Sequence, residues 1–182
     1  MHERSHRKRT IGRTMRGLKT LLAGIAVAGA MTAPVLAQSP VKLSQFTAWG
    51  TYAYDTQQGK VCYVVSVPEK KEPASLDHGN IYFFVSMKPG QNVKYEPQFI
   101  TSYTMQENSK VKVAIGDQSF SMFVRGKFGW LENAAEEPQL IAAMKGGSSM
   151  QVSATSGRGN PTSYSFSLSG ISAALKSIAT CK

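Results

Sequence analysis

Cys62 and Cys181 are the only thiols in the chain and stand 119 residues apart. Two isolated cysteines fall short of a zinc site, which wants about four N or S ligands at defined spacing. No Cys-x-x-Cys pair offers a redox couple. In an exported chain two such cysteines are expected to form one disulfide; the bland alternative is two buried free thiols. His78 is the only histidine outside the first six residues, and it lies in the polar stretch PEKKEPASLDHGN (68–80). An imidazole there could serve Cys62 or a serine as a base. No nucleophile-elbow pattern accompanies it, and no nucleophile, base and orienting group can be assembled around it. The expectation is a solvated loop histidine, no catalytic residue and no enzyme, although a deep pocket containing His78 would favour one. Glu132, Glu136 and Glu137 are the closest set of carboxylates and read as the acidic start of a helix rather than as metal ligands. SGRGN (156–160) is glycine-rich but lacks the lysine and the strand-to-helix context of a phosphate loop. No metal and no cofactor are expected.

The remaining chemistry is electrostatic. Lys110, Lys112, Arg125 and Lys127 cluster near a predicted hairpin. Such a face could meet anionic lipopolysaccharide, acidic glycans or a membrane surface. The competing reading is a solvated strand face guarded by lysines against edge pairing. Tyr52, Tyr54 and Trp130 are alternative contact residues, because aromatics are enriched in interface cores; otherwise they are expected inside a sandwich.

These residues acquire meaning from their compartment. Seven Lys or Arg and one acid, Glu3, precede an apolar run from Leu21 to about Met31, with Pro34 following. Val35 and Ala37 stand at the −3 and −1 positions of a signal-peptidase site. The order of charge, apolar run and small residues predicts a secretory signal over 1–37, cut between Ala37 and Gln38. The run is short for a membrane anchor, which needs about 20 residues. Gln38 excludes lipid attachment to a new N-terminal cysteine, and no paired arginines mark a twin-arginine signal. Translation could begin at Met1 or at Met15. The whole chain is +10; losing the signal leaves 14 bases and 10 acids, a net +4 that is ordinary for a soluble domain. A nucleic-acid partner is therefore not expected.

The mature 38–182 is expected to be a single domain large enough to bury a real core. FTAWGTYAY (46–54), KVCYVVSV (60–67), NIYFFVSM (80–87) and FITSYTM (99–105) read as strands, the second and third as central ones. VKVAI (111–115) and SFSMFVR (119–125) alternate about Gly116-Asp117 and predict a hairpin. MQVSA (150–154) and SYSFSLS (163–169) each carry one oily face, and the second sets it against four serines, so that its other side meets water. EEPQLIAAMKGG (136–147) has a helix's acids and proline at its start and glycine at its end. Ile171, Ala174, Leu175 and Ile178 form the stripe of a C-terminal helix, and Cys181 continues it. The predicted fold is all-β, a sandwich of roughly 8–10 mostly antiparallel strands with one short inserted helix and a C-terminal helix latched by Cys62–Cys181.

KVCYVVSVPEKKEP, IYFFVS before a proline turn, QLIAAMKGGSSMQV and SGRGNPTSYSFSLSGISAALKSIATC resemble the invasion-associated locus B family, from about Trp49 to Cys181. The most specific parts are the Cys62-Tyr63 pair, the Arg158-Gly159 turn, the strand end YSFSLSG and the final cysteine. The turn Asn160-Pro161-Thr162-Ser163 carries no acid, unlike many members. A further cysteine pair near the first tryptophan is absent, so no second disulfide carries over. The resemblance implies an exported protein of Gram-negative bacteria, periplasmic or outer-membrane associated, linked to host-cell invasion. It implies no catalytic residues and no cofactor. The expected function is a non-enzymatic envelope protein that binds a protein, glycan or envelope partner, with peripheral contact to the outer membrane allowed. The alternative is a periplasmic enzyme or cargo-handling accessory. Oligomeric state is open.

Overall fold

The computed structural model describes residues 39–91 and 93–181, all within one compact unit spanning Leu36–Lys182. The predicted signal and its cleavage site lie outside the described residues. Eleven strands run in chain order: β1 (Val41–Phe46), β2 (Trp49–Thr56), β3 (Gly59–Ser66), β4 (Lys70–Glu72), β5 (Ile81–Lys88), β6 (Val93–Thr101), β7 (Lys110–Ile115), β8 (Gln118–Arg125), β9 (Phe128–Leu131), β10 (Ser149–Thr155) and β11 (Pro161–Ser167). Helix α1 (Glu137–Gly146) sits between β9 and β10, and α2 (Ile171–Ile178) follows β11.

All ladders are antiparallel, in the spatial order β1-β2-β3-β5-β6-β9-β8-β7-β10-β11-β4. β1 and β4 each pair with one neighbour only, so the sheet is open and does not close into a barrel. The two layers of the expected sandwich come from this one sheet turning over on itself. Phe83 of β5 meets Phe166 of β11 with ring centres 6.0 Å apart, and Phe99 of β6 meets Tyr164 of β11 at 5.6 Å. The Trp49 indole N–H crosses the same gap to the Ser167 carbonyl at 3.0 Å.

The alternating strands behave as their patterns require. Val111, Val113, Ile115, Phe120, Met122, Met150, Val152, Tyr164 and Phe166 are all buried, while the serines of β11 point to the other side. The predicted hairpin turns at Gly116, whose φ of 53° favours a residue without a Cβ. Pattern reading does not find β1, β4 or β9. β1 is exposed along almost its whole length, β4 is three charged residues, and β9 is the four residues FGWL. These segments are strands because a neighbour pairs with them, not because of a period of their own.

Both helices lie on the core side. α1 buries Leu140, Ile141, Ala143 and Met144, and α2 buries Ile171, Ala174, Leu175 and Ile178 against β1, β2 and β3. α2 ends at Ile178. Cys181 lies in the turn beyond it, with its N–H on the Ile178 carbonyl at 2.9 Å, and is bonded to the buried Cys62 of β3 with a Cα–Cα distance of 6.1 Å. Among the described residues no helix is long and apolar enough to cross a membrane.

Candidate functional site

His78 is not the solvated loop residue that its polar neighbours suggest; only 5% of it is exposed. β4 docks the 68–80 segment onto β11 by pairing Lys70, Lys71 and Glu72 with Ser165, Tyr164 and Ser163. That pairing carries the imidazole over Tyr164. Nε2 lies 3.0 Å from the Pro73 carbonyl, which can only accept, so Nε2 carries a hydrogen. Nδ1 lies 2.9 Å from the Tyr164 hydroxyl; Tyr164 meets the Tyr103 hydroxyl at 2.8 Å, and Tyr103 meets Thr162 Oγ1 at 2.9 Å. With a neutral ring, the Tyr164 hydroxyl donates to Nδ1 and the Tyr103 hydroxyl to Tyr164. With a charged ring, every bond in the row reverses, and Thr162 Oγ1 donates to the Ala154 carbonyl at 3.1 Å. Burial holds the Tyr164 hydroxyl well above the usual phenol range; the Thr162 bond works against this and Tyr103 adds to it.

His78, Tyr103 and Thr162 of this row line a cleft of about 750 Å³, together with Leu76, Asp77, Thr104 and the turn Ser156–Asn160 that carries Arg158. His78 therefore lines a half-open cleft, but both of its ring nitrogens are occupied by the protein itself. Ser156 Oγ, the hydroxyl carried by the turn, accepts the Asn160 N–H at 3.1 Å. Among the described residues no group of three His, Cys, Asp or Glu side chains is placed to hold a metal. Tyr164→Phe strands His78 Nδ1 in a buried site and leaves the Tyr103 hydroxyl with Thr162 alone, which costs about 1–3 kcal/mol. Urea unfolding is expected to show that loss; a change no larger than that of Tyr52→Phe on the surface would remove the network from the stability of the fold.

The second feature lies on the opposite side of the sheet. On β10, β11 and β7 the outward positions are Gln151, Ser153, Ser163, Ser165, Lys110 and Lys112. On the other half they are rings. Cross-strand register places Val65, Phe84, Gln98, Trp130, Phe123 and Lys110 in one row from β3 to β7. A second row runs Tyr82, Ile100, Phe128, Arg125. Tyr52 stacks on Tyr63 at 5.3 Å, Tyr63 packs on Phe84 at 5.4 Å, and Trp130 stacks between Phe123 at 5.7 Å and Phe128 at 5.5 Å. Tyr52, Tyr54 and Trp130 are thus not sandwich core; they face outward and are half-buried against neighbouring rings, Tyr52 and Tyr54 on Tyr63 and Trp130 on Phe123 and Phe128. Burial, then the neighbouring Tyr52 and Tyr54, lifts the Tyr63 hydroxyl above the usual phenol range. The signal was present in the sequence: in FTAWGTYAY and NIYFFVSM both strand faces are apolar, the mark of a strand covered on both sides.

The four predicted cations gather at the end of these rows. Lys110 and Lys112 project from β7, Arg125 ends β8, and Lys127 sits in the β8–β9 turn; all four are exposed. Lys110 is paired with Glu132 at 2.7 Å. Among the described residues no ion pair engages Lys112, Arg125 or Lys127. Beside them the sheet opens where β6 leaves β9, forming a groove of about 430 Å³ between Tyr95, Glu96, Phe123, Arg125, Trp130 and Glu137. Burial raises the Glu137 carboxyl above its usual range; the Tyr95 backbone N–H offsets part of this, and Glu96 adds to it.

Comparison with known proteins agrees with this architecture. The family model described as invasion associated locus B (IalB) protein matches residues 49–179. The crystal structure of invasion associated protein b from Bartonella henselae superposes with a TM-score of 0.52 at 14% identity, covering 74% of this chain and 94% of that one. No curated protein matches the chain. The match from Trp49 onward takes in the Cys62-Tyr63 pair, the Arg158-Gly159 turn and the strand end leading into α2, and the chain belongs to the invasion-associated locus B family.

Proposed function

We propose that this is an exported, non-enzymatic protein of the Gram-negative envelope that works by binding a partner through the outer face of its aromatic half-sheet. The observation that carries the reading is that face: a half-sheet apolar on both sides, with both helices packed on the inner side alone. An antiparallel sheet that simply meets water alternates oily and polar residues, as β10 and β11 do. A contiguous outward apolar area marks a contact site. The engagement of both His78 nitrogens within the fold favours a binding protein over the periplasmic enzyme. The predicted signal and family membership support a place in the periplasm or at the outer membrane, and family membership supports a link to host-cell invasion.

Lys110, Lys112, Arg125 and Lys127 form the anionic-partner side of this face. Replacing all four by Gln is expected to weaken sedimentation of the mature protein with isolated envelopes, and added salt is expected to do the same. Binding unchanged by both treatments would return these cations to solvated surface. Envelope binding equally strong when Phe123 and Phe128 are replaced by serine would remove the aromatic face from the function.

A further inference from the structure

We infer that the β8–β9 hairpin is a membrane-docking device, and that the occupant of the outer face is an anionic lipid bilayer surface. This rests on the reading that the outer aromatic face is the binding surface. Phe123 and Phe128 are 40% and 41% exposed, on either side of the half-buried Trp130. Arg125 lies directly across the ladder from Phe128, and Lys127 occupies the turn. Aromatic rings flanked by cations are the chemistry of the bilayer interface: the rings sit at headgroup level and the cations meet the phosphates.

Three further features favour a bilayer over a folded partner. The rings stand in rows on the outside of an open sheet, and the face outside the groove is a surface rather than a slot that would fix one shape. The hairpin is rigid in advance, because the Lys127 carbonyl accepts the Thr101 N–H at 3.0 Å and the Gly126 carbonyl accepts the Met105 N–H at 2.9 Å. The charge is one-sided. Glu96 is matched by Lys88 and Glu132 by Lys110, while Lys112, Arg125 and Lys127 have no ion pair among the described residues. Glu137 also lines the groove, and burial raises its carboxyl above the usual range. Each unpaired cation near an anionic surface is worth about fivefold in partitioning, so the three together supply roughly a hundredfold preference over a neutral bilayer.

The protein carries its own reporter. Trp49 is fully buried in the core, and Trp130 is the only other tryptophan. Mature protein is titrated with vesicles of phosphatidylcholine alone and with vesicles containing about one third phosphatidylglycerol, a fraction set to give the strong negative surface that Lys and Arg respond to. The expected result is a blue shift of tryptophan emission with the anionic vesicles, absent from Trp130→Phe although that variant still co-sediments. Arg125→Gln with Lys127→Gln is expected to lower partitioning about 25-fold, and raised salt should remove the preference for anionic lipid. Phe123→Ser with Phe128→Ser should lose the shift and most of the binding while its thermal unfolding stays within that of exposed substitutions. Equal partitioning to both vesicle types, or binding untouched by either pair of substitutions, overturns the inference. A protein that ignores vesicles yet sediments with isolated envelopes in a ring-dependent way overturns the bilayer as occupant and leaves the outer face standing as the site for a protein or glycan. Loss of neither kind of binding in the ring variant overturns both.

Discussion

Cys181→Ser is expected to lower stability by about 2–4 kcal/mol and to loosen the C-terminus first. The bond closes a loop of 119 residues between β3 and the turn after α2. In the chain-entropy account a loop of about 100 residues gives an upper figure near 4.7 kcal/mol, and native-state adjustment reduces it. The loss concentrates at α2 because the helix has only two turns and sits at a chain end. Its four buried side chains, Ile171, Ala174, Leu175 and Ile178, are a small area to hold a terminal element without a tether. The variant should therefore be trimmed by protease after Gly170 while the sheet keeps its far-UV signal. Cys62→Ser should match it, and the double variant should lose no more than either single one, since all three remove one bond. Two free thiols titrating in the denatured, unreduced exported protein would contradict the bond itself. A double variant much weaker than the singles would show that the cysteines act separately.

Gly170→Ala is expected to be comparably damaging, at about 3 kcal/mol. Gly170 joins β11 to α2 with a φ of 91°, where a Cβ costs about 1–2 kcal/mol. A Cβ there would also overlap the carbonyl oxygen of Phe46, a backbone atom that cannot turn aside. Relief requires moving the end of β1 away from the helix, which adds about 1–3 kcal/mol of overpacking. The neighbouring Ala48 N–H bond to the Ser169 carbonyl, at 3.2 Å, would be disturbed with it. Gly159→Ala isolates the two contributions. Gly159 has a φ of 82° but open space around its Cβ position, so it incurs only the conformational cost. Denaturant midpoints should rank wild type above Gly159→Ala, and Gly159→Ala above Gly170→Ala. Equal losses at the two glycines would show that the Phe46 carbonyl yields and that β1 is not fixed against the helix junction.

The residues that could be read in the sequence are those with a pattern of their own. Alternation fixed the inward faces of β7, β8, β10 and β11, because a side-chain period of two leaves each residue only one side of a sheet. The helical stripe ending in Cys181 pointed to the latch, since two cysteines in a chain with a predicted secretory signal have few other expected uses. Three things were settled only by tertiary structure. β4 became a strand through β11, about 90 residues away in sequence and outside any local window, while β1 and β9 became strands by pairing with β2 and β8 across tight turns, without a period of their own to announce it. His78 was buried by that same β4 pairing, which turned a polar loop into the lid of a hydroxyl network. The outward direction of Tyr52, Tyr63, Phe84 and Trp130 needed the register across β2, β3, β5, β6 and β9. A strand that is apolar on both faces declares that both will be covered, but its sequence cannot say which face the protein covers with its own core and which it leaves for something else.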